Sequence, residues 1–214
     1  MDLLRAAVAE NATWCALVCR RHGVDSTVRD GRWIASGTPP PFYPAVITLR
    51  PKLQLSTIVR PQRGLGVKDS YADVDLSSAG AIELFSGRWI AAPPGQGELG
   101  QWRRISDARE LARWRSAHGS ADALQADLLG EPDVTFVCAG EAGHLLAGAV
   151  LHRTDEVIGV SNVFGHVDWR SLIAVAGAFH GELPVVGYAS GAALAAARHG
   201  GWSEVGPMRV WLAG

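Results

Sequence analysis

The stretch GVSNVFGHVDWRSLIAVAG, residues 159 to 177, reads as a strand, a short loop and a helix. A junction of this kind can hold a phosphate, because the first amides of a helix are unpaired and the positive end of its dipole lies there. Bare glycine amides would serve that purpose, yet only Gly165 is near the loop, and Asp168 is placed to cap the helix. If the Asp168 carboxylate stood ~4 Å from a phosphate charge, an effective dielectric of about 20 gives roughly 4 kcal/mol of repulsion. That is a loss of about three powers of ten in affinity. Arg170, just inside the helix, offsets part of it only if its guanidinium folds back over the helix end. His166, in the same loop, could serve as a base, although most loop histidines are simply solvated.

Other chemistry-bearing residues are few. Lys68-Asp69-Ser70-Tyr71 is a dense polar cluster that could form a ligand site, but Asp69 and Ser70 are also ordinary turn and capping residues. Cys15 and Cys19, four apart on one helix face, read as small buried hydrophobes together with Cys138, because no second Cys/His pair with ligand spacing follows. No nucleophile elbow, HExxH or Walker loop occurs, so hydrolase, zinc-protease and phosphotransfer readings lack support. The seven histidines are scattered, and no metal site is expected. Most of the eight tryptophans fall in or beside predicted strands and helices, where packing between layers explains them.

The elements that must position these residues follow from periodicity and punctuation. Residues 3 to 22 read as a helix with Asp2 as N-cap and Gly23 after its end. STVRD, RWIASG and AVITLR then form an antiparallel meander, and SYADVDLSSAGAIELFSGRWIAA supplies a strand end, a short helix and a last strand. Residues 93 to 101, PPGQGELGQ, read as a linker. The order then repeats: a helix capped by Asp107 with Glu110 three residues on, the strands TFVCAG, LLAGAVLHR and EVIGVSNVF, the opening junction, the strand LPVVGYAS, the helix GAALAAARHG and a final strand MRVWLA.

The halves also share letters. Tyr71-Ala72 corresponds to Tyr188-Ala189, and IELFSGRWIAA aligns with SEVGPMRVWLAG, setting Glu83 on Glu204 and Arg88 on Arg209. Two halves too small to cover their own sheets would bury more surface by packing those sheets side by side or face to face.

Composition bounds the partners. Hydrophobic residues make up 48% and charged residues 19% of the 214, which excludes a disordered or collagen-like chain. A net charge of -1 and a pI near 6.6 provide no basic footprint for nucleic acid or anionic lipid. No apolar run is long enough for a membrane helix, and the start MDLLRAAVAEN carries acids rather than a basic leader, so a cytoplasmic location is expected.

From residue 101 to 214 the order of elements resembles the GNAT superfamily of acyl-CoA N-acyltransferases. EVIGVSNVF resembles the family's fourth strand, with Asn162 at its usual asparagine, and ARHGGWSEVG resembles the helix end followed by a glycine and an aromatic residue, here Gly201 and Trp202. The first half resembles a more degenerate copy. The resemblance implies an α+β fold with a mixed, mostly antiparallel sheet flanked by helices, in two GNAT-like halves, 1–95 and 101–214. It also implies a cleft at splayed strands near Asn162 and Tyr188, a coenzyme held by Asn162, Val163, Gly165 and Arg170, and His166 and Tyr188 as the catalytic candidates. A buried tyrosine with one satisfied hydroxyl is, however, the commoner reading of Tyr188.

Two departures bear on function. The coenzyme loop lacks its spaced glycines, and Ala197 stands where many members carry the tyrosine that protonates the departing thiolate. Losing a positioned acid typically removes a factor of ~10²–10⁴ in rate. The expectation is therefore a small-molecule or partner-binding module that no longer uses acetyl-CoA and needs no cofactor. The alternative is an acyl-CoA-dependent N-acyltransferase acting on a small amine, with acetyl-CoA or another acyl-CoA bound. The expected partners are a small molecule, a protein or a second copy of the chain, and not nucleic acid or a membrane.

Overall fold

The computed structural model describes residues 1–53, 64–95, 99–120, 123–141 and 144–214. The chain opens with α1 (Leu3–Arg21), whose N-cap Asp2 accepts from Arg5 N, and closes its last turn with Arg20 and Arg21, which suit the negative end of the dipole. Strands β1 (Ser26–Arg29), β2 (Arg32–Ala35), β3 (Val46–Thr48) and β4 (Gly66–Asp69) follow. A 3-10 turn (Ser77–Ala79), in place of the expected short helix, leads to β5 (Ile82–Ala92). Of the predicted linker 93–101, residues 96–98 lie outside the described residues. Directly after it comes a strand the sequence reading did not anticipate, β6 (Trp102–Arg104).

Next come α2 (Ala108–His118), β7 (Val134–Glu141), β8 (His144–Arg153), β9 (Ile158–Gly165), α3 (Trp169–His180), β10 (Val185–Ala189), α4 (Gly191–His199) and β11 (Ser203–Leu212). Asp107 caps α2 by accepting from Glu110 N at 2.8 Å. Among the described residues the strands form one mixed sheet of eleven, ordered β1-β2-β3-β4-β11-β5-β10-β9-β8-β7-β6. The sheets are thus joined edge to edge. One helical layer is α1 and α2, whose Trp14, Val18, Leu111 and Trp114 pack with Phe136, Cys138 and Val150. The other is α3 and α4, whose Leu172, Val175 and Ala197 pack with Val137, Ala149 and Leu151 from the alternate positions of the same strands. Among the described residues no helix is long and apolar enough to cross a membrane.

Apart from the edge strand β6, the order is symmetric about the β11–β5 pair. β3 pairs with β4 in parallel, as β9 pairs with β10, and the two closing strands β5 and β11 change places so that each lies against the other segment. Across their antiparallel ladder Arg88 Nε stands 3.3 Å from Glu204 Oε2, and Arg209 Nε stands 3.4 Å from Glu83 Oε2. The internal alignment superposes Glu83 on Glu204 and Arg88 on Arg209, so each ion pair joins an arginine to the residue that the alignment sets on the other pair's glutamate, and the two contacts are reciprocal.

Candidate functional site in a cleft between splayed strands

β9 and β10 pair only over Ile158–Val160 and Val185–Gly187, after which they part. The cause lies on the other side of β9. Gly148 of β8 faces Phe164 while Val150 faces Ser161, so Asn162 and Val163 together oppose Ala149 alone. This extra residue is a bulge, and Asn162 adopts φ 51, a left-handed conformation that asparagine tolerates better than other side-chain-bearing residues. Gly165, at φ 79, ends the strand where any Cβ would collide with the carbonyl of Leu146, so this glycine answers to the backbone of β8. The parting of the strands opens a cleft of about 1170 Å³, slightly larger than the ~300–1,000 Å³ usual for small-molecule sites. It runs from the β9–α3 loop and the alanines Ala192, Ala193 and Ala196 of α4, through the opening, to the underside of α1.

At the outer end, Asp168 is the N-cap of α3 and its Oδ1 accepts from Arg170 N at 3.1 Å. The C-terminal turn of α4 packs against the same place: a Cβ on Gly200 would stand 2.9 Å from Arg170 N, and Trp202 Nε1 donates to Trp169 O at 2.9 Å. The start of α3 is therefore capped by a carboxylate and backed by α4. His166 is exposed in the loop and tied through its backbone N–H to Leu146 O, 3.0 Å away. Arg170 is exposed and does not line the cleft, so its guanidinium does not fold over the site. Ala197 is buried in the α3/α4 core, and α4 presents alanines to the cleft and no proton donor.

At the inner end the chemistry is denser. Lys68 on β4 is 5% exposed, donates to Asn11 Oδ1 of α1 at 2.9 Å, and sits 4.3 Å from the centre of the Tyr188 ring. Tyr188 is half-buried, stacked with Phe85 at 6.4 Å and edge-on to Trp89 at 5.7 Å. Tyr43 brings a hydroxyl beside Asn162 and Trp14; it is buried without a hydrogen bond of ordinary geometry among the described residues. Burial raises its pKa well above the usual tyrosine value, so it stays a neutral donor. Asn162 turns its amide to Ser161 Oγ at 2.9 Å.

The predicted residues are thus divided. Asn162, Val163, Gly165, His166 and Tyr188 all border the cleft, whereas Arg170 stands apart from it. In the polar cluster, Lys68 faces the cleft, but Asp69 binds the backbone N–H groups of Tyr71 and Val74, and the Tyr71 hydroxyl donates to Leu49 O, so these two build a turn. Asn11 and Tyr43 were missed. They come from a helix and a loop remote in sequence, and their only sequence signal is a polar residue on the apolar side of α1. Cys15 and Cys19 are buried free thiols whose pKa values burial pushes up to about 12 and about 11, which makes them inert. Among the described residues no group of His, Cys, Asp and Glu side chains is arranged to hold a metal ion.

No family model matches the chain, and no curated protein does. Solved structures do. A GCN5-related N-acetyltransferase from Kribbella flavida superposes with a TM-score of 0.61 at 14% identity, over 97% of this chain and 95% of its own. A putative acetyltransferase of the GNAT family from Novosphingobium aromaticivorans DSM 12444 gives 0.55 at 12% identity over 97% and 99%. A functionally unknown conserved protein from Staphylococcus epidermidis ATCC 12228 gives 0.61 at 11% identity, covering 89% and 94%. With its mixed sheet, its bulged and splayed central strands and its flanking helices, the chain has the fold of the GCN5-related N-acetyltransferases.

Proposed function

We propose that this protein binds a small molecule in the cleft of an N-acyltransferase fold without using acetyl-CoA. The observation that carries this reading is the Asp168 carboxylate bonded to Arg170 N at the start of α3. A pyrophosphate needs bare amides and positive potential at that place. Here a negative group takes a donor, and the packing of Gly200 against Arg170 N leaves little room. These residues do not fit the coenzyme's pyrophosphate.

A second reading is favoured by a specific feature, the bulge at Asn162 that frees the edge of β9. An acyl-CoA-dependent transferase acting on a small amine could lay a pantetheine arm along that edge, past Asn162, Val163 and Gly165. His166 or water would then be the base, Tyr188 a donor, and Arg170 would have to swing inward.

Calorimetric titration of acetyl-CoA, free CoA and pantetheine separates the two. The expected result is no heat from either coenzyme up to millimolar concentration, with weak binding appearing in Asp168→Ser, which keeps a cap and removes the charge. Micromolar binding to the unaltered protein would overturn the first reading in favour of the second.

A further inference from the structure

We propose that the inner end of the cleft binds the carboxylate of a small organic acid, with Lys68 as its counter-charge. This rests on the reading that the cleft is a small-molecule site, and it names the chemistry of the ligand. Lys68 is a buried cation with no ion pair among the described residues. The neighbouring carboxylates are engaged elsewhere: Glu10 Oε1 meets His152 Nδ1 at 2.9 Å, and both oxygens of Asp69 face backbone N–H groups. An ammonium has three donors, and Asn11 Oδ1 takes one. The faces of Tyr188 at 4.3 Å and Trp89 at 5.9 Å stabilise the charge but accept no conventional hydrogen bond.

A second group near Lys68 lacks a partner as well. Asn11, which also lines the cleft, spends its oxygen on Lys68. The buried Tyr43 hydroxyl borders the same cleft and lacks a partner of ordinary geometry among the described residues. A buried charge and a buried hydroxyl left unmatched are costly, and one anion with two acceptor oxygens would satisfy them together. A single positive charge suits a monoanionic carboxylate better than a phosphate dianion. Trp14, Phe85 and Tyr188 line the space beside it, so the rest of the acid is apolar.

The test is to titrate the protein with acetate, octanoate and 3-phenylpropionate and with the primary amide of each, following heat and tryptophan fluorescence. The expected result is that at least one of the two larger acids binds ten or more times tighter than its amide. In Lys68→Met that preference should disappear, while Lys68→Arg keeps most of it. Equal binding of acid and amide would overturn the role of Lys68 and leave the cleft as a small-molecule site. No binding of any acid or amide at ten millimolar would overturn this proposal together with the reading on which it rests. The comparison of acid with amide is made on the unaltered protein, so it holds even if Lys68→Met fails to fold.

Discussion

Glu10 and His152 are each almost sealed from solvent, at 6% and 5% exposure, and their hydrogen bond ties α1 to β8. Burial pushes the Glu10 pKa up, and the hydrogen bond and charge of His152, with Lys68 further off, pull it partly back. Removing His152 would leave a buried carboxylate without its partner. His152→Ala is therefore expected to cost about 3–5 kcal/mol in urea unfolding. A carboxyl whose folded pKa lies above its unfolded value holds its proton more readily when folded, so its contribution is present at low pH and lost as pH rises through the folded value. The deficit of His152→Ala relative to the unaltered protein should accordingly be larger near pH 8 than near about pH 5. At this scale the sequence was readable where chemistry is local. Asp2 and Asp107 cap their helices as their positions require. Lys68 was readable only as a polar residue, because its burial depends on Asn11 and Tyr188, which are distant along the chain.

The elements are held by close approaches that small residues permit. α1 reaches β9 at Gly159, where any Cβ would collide with the Glu10 carboxylate. That carboxylate cannot swing aside without breaking its bond to His152. Gly159→Ala should thus destabilise the protein by roughly 1–3 kcal/mol in urea unfolding. Combined with Glu10→Ala it should cost less than the sum of the two single changes, since they act at one contact. Alternating apolar residues made β7, β8 and β9 legible in the sequence, but the bulge at Asn162 was not. A register shift belongs to a pair of strands, and only the partner β8 shows that Asn162 and Val163 share one position. β6 was missed for a related reason: three residues pairing with β7 carry too little pattern to read alone.

Across the whole molecule, the central strands connect the two segments more closely than a linker would. β5 lies between β10 and β11, and β11 between β4 and β5. The reciprocal pairs Arg88–Glu204 and Arg209–Glu83 tie the two exchanged strands to each other. Each segment alone would lack the strand the other supplies. A chain opened between residues 95 and 101 is expected to co-purify as one folded complex, and neither piece expressed alone should show a cooperative unfolding transition. Independent folding of 101–214 would count against this. The alignment made Glu83 equivalent to Glu204 and Arg88 to Arg209; which of them would touch could not be read, because partnership across a symmetric interface depends on where its axis falls.

The exchanged strands also set the order in which the protein can form as it leaves the ribosome. β5 is complete by residue 92, yet its two neighbours end at residues 189 and 212. Pairings so distant along the chain raise the contact order and slow folding. The first segment therefore emerges with one flank of β4 and both flanks of β5 bare, and the central sheet closes only after the last strand is made. Until then these bare flanks are open to pairing with another nascent chain.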